Sequence, residues 1–312
     1  MRVVVLGASG MLGSMVVDWL CRDDSLRVTA THRSPELRQL FQDSYPSAEW
    51  RALDIDSLPT TDLVQLLDGV KWAINCVGVI KPHIHEDNPA EIERAIRVNA
   101  LFPYGLAKAA ETCGVHVLQI ATDCVYSGTR GGYSEQDKHD ALDVYGKTKS
   151  LGEVASPNMH HLRVSIIGPE PLKHVSLLDW FLKQAAGSSI TGYTNHQWNG
   201  ITTLHFARIC HGMIREGLNP KLLQHIVPTG TVTKAEMMRR FADTFHRKDV
   251  EILPAEAKIP ADRTLATVDE AFNRRIWGAA GYPEPPSVPQ MLAELAEFDY
   301  RCGLQTYARV SR

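Results

Sequence analysis

Val3-Val4-Val5-Leu6-Gly7-Ala8-Ser9-Gly10-Met11-Leu12-Gly13 decides the fold. A β-branched run of the kind that fills a buried strand leads directly into a glycine turn. The turn opens a segment, residues 11–21, that places Leu12, Met15, Val16, Trp19 and Leu20 on one helical face. Glycines at 7, 10 and 13 suit a tight turn, close backbone approach to a pyrophosphate, and close packing of helix on sheet. The helix N-terminus then offers unpaired N–H groups and a partial positive charge to an anion. A glycine triplet alone also arises from packing. Between a buried strand and an amphipathic helix it reads as a dinucleotide site, with contacts expected from Gly7, Ser9, Gly10, Met11, Leu12 and Gly13.

Outward from that turn, short β-branched runs alternate with amphipathic segments. Strands are expected over residues 3–6, 27–31, 73–77, 115–121 and 161–166, and helices over 11–21, 61–67 and 91–111. The pattern is that of an α/β fold, a Rossmann-type doubly wound parallel sheet. After Gly168 the regular alternation stops. Residues 177–186 read as a helix, 192–200 as a loop, 203–216 as a helix and 225–227 as a strand. Thr233 and Glu236 have the spacing of a capping box that opens another helix. The stretch 252–312 is rich in proline, with one helix expected around 288–298. The expected organisation is a dinucleotide-binding domain over residues 1–168, with 201–250 packing back onto it. Residues 169–200 and 251–312 would form a smaller C-terminal substrate-binding lobe.

The second strand ends Thr29-Ala30-Thr31-His32-Arg33, with no acidic residue to grip a ribose 2′-hydroxyl. Arg33, beside His32, offers a planar fork for a 2′-phosphate; read blandly, it is a surface arginine leading into a helix capped by Ser34 and Pro35. NADP(H) is therefore the preferred cofactor and NAD(H) the alternative. The ends of later strands, at Asp54 and Ile55, at Cys76, Val77 and Gly78, and at Ala121, are expected on the same cofactor face.

A chain of 312 residues with 44% hydrophobic and 22% charged residues has the make-up of an ordinary globular protein. A net charge of −3 gives no basic excess for a nucleic-acid or anionic-membrane partner. An acidic ligand must therefore be held by local groups. The six cysteines show no C-x-x-C pair and no metal-like spacing, which points to free thiols in a reducing compartment. No signal peptide and no apolar run near the ~18 residues of a membrane span is apparent, so the cytoplasm is expected. His83-x-His85, with Glu86 and Asp87 nearby, offers too few ligands of fixed geometry, and no metal is assigned.

Tyr145 and Lys149 stand four apart, which on a helix puts both on one face. A tyrosine with its usual pKa near 10 is a poor acid–base catalyst at neutral pH. A neighbouring ammonium favours the phenolate and brings the group toward its working range. Alone, Y-x-x-x-K describes many surface helices. Here Thr122 ends an expected strand upstream, where its hydroxyl can orient a substrate carbonyl beside Tyr145. Asn99 lies four residues before Pro103, which has no N–H to return to the Asn99 carbonyl. The freed carbonyl is expected to hold a water near Lys149; the alternative is a kink that serves packing.

The G-x-x-G-x-x-G turn with Thr122, Tyr145 and Lys149 resembles the extended short-chain dehydrogenase superfamily. Thr122-Asp123-Cys124-Val125-Tyr126, Tyr145-Gly146-Lys147-Thr148-Lys149 and Trp198-Asn199-Gly200 look like its dTDP-4-dehydrorhamnose reductase branch, over most of residues 1–210. The resemblance implies reduction of the 4-keto group of a 6-deoxy nucleotide-sugar by NADPH, with Thr122, Tyr145 and Lys149 as catalytic residues. It places Asp54 at the adenine and Asn99 in the active site. It suggests Cys124, Val125, Trp198, Asn199 and Arg263 on the substrate side, and a homodimer built through the long helices. One departure points elsewhere: Cys124 and His174 resemble the acid–base pair of GDP-fucose synthase, a relative that epimerises before reducing. Cys124 also replaces the glutamate of the 4,6-dehydratase relatives, which removes their base. A non-catalytic reading remains, because the regulatory subunit of methionine adenosyltransferase resembles the same branch.

Overall fold

Val3, Val4, Val5 and Leu6 have at most 1% of their surface exposed, as a strand flanked on both faces requires. They belong to β1 (Arg2–Leu6), near the middle of a seven-stranded sheet in the computed structural model, which describes residues 1–33, 35–56, 60–172 and 174–301. Ser34 and Cys302 lie outside the described residues. Around β1 stand β2 (Arg27–His32), β3 (Glu49–Ala52), β4 (Trp72–Asn75), β5 (His116–Ala121) and β6 (Met159–Arg163), with Leu223–His225 as the far edge. The spatial order is Leu223–His225, β6, β5, β4, β1, β2, β3, with every neighbouring pair parallel. The chain runs outward from β1 to β3, then restarts on the other side at β4. A crevice therefore opens at the carboxyl ends of β1 and β4, where such sheets hold ligands.

The helices follow the apolar pattern. They are α1 (Met11–Leu20), α2 (Pro35–Ser44), α3 (Thr60–Leu67), α4 (Pro89–Ala95), α5 (Phe102–Cys113) and α6 (Val144–Leu151). Beyond β6 come α7 (Leu177–Leu182), α8 (Thr203–Glu216), α9 (Lys234–Thr244), α10 (Glu270–Ala279) and α11 (Val288–Glu297). The expected capping box is formed: Thr233 caps the Glu236 N–H, and Glu236 accepts from the Thr233 N–H at 2.7 Å. α8 lies against α1, where Trp19 Nε1 donates to His211 Nδ1 at 3.1 Å. One buried cluster runs from Val3 through α8 and α9 to Tyr300.

Several expectations change. The single helix over 91–111 is α4, a π-helical stretch Ile96–Leu101, and α5. Phe102 N–H returns to the Arg97 carbonyl, five residues back, so the chain meets Pro103 with a widened turn rather than a simple broken one. The expected strand 161–166 divides into β6 and Ile166–Ile167, and the strand 225–227 is Leu223–His225. β3 was not anticipated, since only Trp50 of Glu49-Trp50-Arg51-Ala52 is buried. The stretch 192–200 is not a plain loop: Ser189–Tyr193 pairs with Glu251–Ala255, and His196–Trp198 pairs with Ala261–Asp262 and Val232–Thr233. The proline-rich stretch carries a helix beyond the expected one, α10. Among the described residues no helix is long and apolar enough to cross a membrane, and no group of three or more His, Cys, Asp or Glu is placed to hold a metal.

Candidate active site

The turn after β1 is held by backbone. Gly7 has φ +73°, donates its N–H to Thr31 Oγ1 at 3.1 Å, and accepts from Gly10 N–H at 3.1 Å. A Cβ on Gly13 would stand 2.2 Å from the Gly7 carbonyl oxygen, and one on Gly7 would meet Val77 and the Cys76 backbone at 3.0–3.2 Å. Only glycine permits this approach of helix, turn and β4. No side chain caps α1 at Gly10, and no acidic residue lies in its first turn. The helix therefore keeps its positive end for an anion.

That turn opens onto a cavity of about 780 Å³ at the crevice. Gly7, Ser9, Gly10, Met11 and Leu12 line one end, with His32, exposed Arg33, Asp54 and Ile55 beyond them. Cys76, Val77, Gly78 and Ala121 line the floor, and Thr122, Cys124, Tyr145 and Lys149 the far side. The cradle, the uncapped helix and the lack of an acid at the end of β2 together fit a dinucleotide. Gly13 packs behind the turn rather than lining the cavity.

Asp143 sets the helix that carries Tyr145 and Lys149. Its Oδ1 caps the Gly146 N–H at 2.7 Å, while its Oδ2 pairs with Lys81 Nζ at 2.7 Å. Gly146 lets α6 press onto the end of β5; a Cβ there would lie 2.5 Å from the Cys124 carbonyl. Thr122 Oγ1 accepts from Cys124 N–H at 3.1 Å and donates to Asp123 Oδ1 at 3.2 Å. A hydrogen bond with Thr122 favours the Tyr145 phenolate, but burial dominates and pushes the phenol above its ordinary range. Lys149 Nζ is turned to the Ile120 carbonyl at 3.1 Å, and burial lowers the ammonium to about 8, opposed by Glu153 and Cys76. Burial thus favours the neutral phenol at Tyr145, while Lys149 sits near its titration point.

Asn99 is buried and works by clamping. Its side chain accepts from Val79 N–H at 2.8 Å and donates to the Val79 carbonyl at 2.9 Å and to Thr148 Oγ1 at 3.2 Å, which ties the loop after β4 to α6. Its own carbonyl faces Gly152, where a Cβ would lie 2.0 Å away, so it packs closely against the end of α6.

The substrate-side candidates divide. Cys124 lines the cavity; Val125 is fully buried beneath it. Trp198 is 5% exposed and donates to Ser165 Oγ at 2.9 Å, while Asn199 exchanges hydrogen bonds of 2.7 and 2.9 Å with the backbone of Leu265. Arg263 donates to the carbonyls of Tyr126 and Ser127 at 2.9 and 3.0 Å. None of the three lines the cavity, and each gives side-chain hydrogen bonds to backbone or to a hydroxyl. The acid–base pair of the epimerase alternative is not favoured. Burial and Asp123 push the Cys124 thiol up to about 12, and His174 is turned toward Asp179, Nδ1 to Oδ1 at 3.4 Å, outside the cavity lining.

Two charged groups were missed. Asp123 lines the cavity at 7% exposure, and burial raises its pKa against the opposing charges of Arg263 and Lys234. Lys234 reaches over the Trp198 ring, 5.7 Å from its centroid. The capping box could have marked it, since it makes Lys234 the first residue of α9.

The family model described as the RmlD substrate binding domain matches residues 1–268. A probable low-salt glycan biosynthesis reductase of Haloferax volcanii is 26% identical over 285 residues, covering 88% of this chain and 87% of that protein. The methionine adenosyltransferase 2 subunit beta of Danio rerio is 28% identical over 264 residues, covering 81% and 76%. Among solved structures, a dTDP-4-dehydrorhamnose reductase from Bacillus anthracis in complex with NADP superposes with a TM-score of 0.69 at 18% identity, covering 94% of this chain and 98% of that one. At that identity the likeness is one of fold.

Proposed function

The chain belongs to the RmlD substrate-binding domain family, and from that premise we propose that it is an NAD(P)H-dependent oxidoreductase that reduces a keto group on a nucleotide-sugar. The finer reading is a 4-keto-6-deoxy nucleotide-sugar with NADPH as the preferred reductant, as in the reductase relatives. One observation carries it: the uncapped glycine turn and the Thr122–Tyr145–Lys149 set line a single cavity of about 780 Å³. A cofactor long enough to reach from phosphate turn to tyrosine has its seat there.

Gly7, Ser9, Gly10, Met11 and Leu12 hold the pyrophosphate, Arg33 the 2′-phosphate, and Asp54 and Ile55 the adenosine side. The cofactor supplies the hydride. Thr122 orients the ketone by a hydrogen bond to its oxygen, and Tyr145 gives that oxygen its proton. The phenol carries its proton at neutral pH, and burial, which raises its pKa, is a cost to giving that proton up. Lys149, beside the Ile120 carbonyl, places positive charge under the tyrosine and lowers the cost of the phenolate left behind. Asp123 accepts from a hydroxyl of the sugar. Glu170, Leu172, Val175, Ser176 and Leu177, from the expected substrate-binding lobe, line the same cavity and face the sugar.

NADPH consumption with a panel of 4-keto-6-deoxy nucleotide-sugars tests this, with Tyr145→Phe run beside the native protein. Turnover that disappears in the variant supports the reductase. Tight NADPH binding without turnover on any member supports a binding protein instead, like the methionine adenosyltransferase subunit among the relatives.

A further inference from the structure

The last described residues return to the first helix. Ser14 and Asp18 lie one turn apart on one side of α1, with Arg22 just past its end, and each holds part of the segment 298–301. Ser14 Oγ lies 2.6 Å from Tyr300 OH. Asp18 Oδ2 accepts the Arg301 N–H at 2.8 Å and the Tyr45 hydroxyl at 3.0 Å. Arg22 donates to the Asp299 carbonyl at 2.5 Å, and its guanidinium sits 4.4 Å over the Phe298 ring. Asp18 and Ser14 are fully buried, and Tyr300 is 1% exposed. A surface tail has no need of such a seat.

The hydrogen bonds at Ser14 have a direction. Its one hydroxyl proton goes to the Gly10 carbonyl at 2.7 Å, so the Tyr300 hydroxyl must be the donor to Ser14. Gly10 caps the N-terminus of α1, and its carbonyl also accepts the Ser14 N–H at 3.0 Å. The phenol at residue 300 is thus joined through one side chain to the backbone that faces the cavity at the phosphate turn.

We propose that Tyr300 is a positioning residue for the cofactor pyrophosphate, acting through Ser14 on the Gly7–Gly10 turn. The segment 298–301 therefore serves the cofactor site, although it lies 286 residues from Ser14 and in a stretch expected to form the substrate lobe. The inference rests on the dinucleotide reading of the cavity. Buried partners hold a turn by restricting what its backbone can do, and a phosphate that binds to N–H groups needs those groups already aimed.

The test is calorimetric titration of the full chain with NADPH and, separately, with adenosine 2′-phosphate, which lacks the pyrophosphate. Tyr300→Phe keeps the buried ring and removes the donor; Ser14→Ala removes the other partner. Each is expected to raise the NADPH Kd about three- to tenfold, the size of one neutral hydrogen bond, and to leave adenosine 2′-phosphate unchanged. The double variant should be no weaker than either single one, and kcat at saturating NADPH should hold. Unchanged NADPH affinity in both variants overturns the inference, as does equal weakening of both ligands, which would mark general loosening of the fold. Native protein that binds neither NADPH nor NADH would overturn the cofactor reading itself, and the inference with it.

Discussion

The two ends of the cavity are built from different materials. The proposed phosphate end is mostly backbone: Gly7, Gly10 and the bare start of α1, with Gly13 packed behind them and Arg33 among the charged side chains nearby. The catalytic end is side chains crowded against one another, with Thr122, Asp123, Cys124, Tyr145 and Lys149 each shifted or bonded by a neighbour. A backbone site is specified by what is left out, since a Cβ at Gly7 or Gly13 would crowd the turn. A side-chain site is specified by which groups share a low-dielectric space, because burial and neighbouring charge set each proton affinity. Damage should therefore look different at the two ends: in binding at the first, in turnover and pH profile at the second.

The largest effect expected is on turnover. Tyr145→Phe should lower kcat by about 10²–10⁴, the usual share of a positioned acid, with NADPH Kd little changed; steady-state rates beside a binding titration check both. Gly13→Val comes next and should do the reverse. Its branched side chain would start 2.2 Å from the Gly7 carbonyl, and overpacking of that kind should raise the NADPH Kd by about tenfold to a hundredfold. Equal NADPH affinity in that variant would break the account of the backbone end.

Arg33→Ala should separate the cofactors. Loss of charge-assisted bonds to a 2′-phosphate should raise the NADPH KM about tenfold and leave the NADH KM in place. Equal change for both would make Arg33 a general surface charge. The smallest effect is on pH. Burial lowers Lys149 to about 8, so its ammonium is present below that value and is lost as pH rises through it. kcat/KM should fall above about pH 8, and Lys149→Arg, slower overall, should lose that alkaline limb because guanidinium stays charged.

What was legible in the sequence follows the same division. The glycine turn and the Tyr145/Lys149 pair could be read because each is local: one turn, or four residues on one helix face. The parallel sheet was legible from its buried β-branched runs, whereas β3 escaped because it is an edge with one buried side chain, Trp50. The hydrogen-bond partners of Asn99, Trp198, Asn199 and Arg263 were not legible, since Val79, Ser165, Leu265 and Tyr126 are distant in the chain and are chosen by the fold. Lys149 was expected to bring the phenol toward its working range; the burial of Tyr145, which no motif shows, pushes it the other way. No periodicity could have brought Tyr300 to Ser14.

The most direct measurement is the fate of deuterium from NADPH labelled at C4 of the nicotinamide, given to the native protein with a 4-keto-6-deoxy nucleotide-sugar in ordinary water. The account predicts one deuterium at the former ketone carbon; in deuterated water with unlabelled NADPH, no deuterium should enter the adjacent carbons. Bound NADPH with no transfer to any sugar of the class would contradict it, and solvent deuterium beside the carbonyl would show the epimerising chemistry that the placement of Cys124 and His174 argues against.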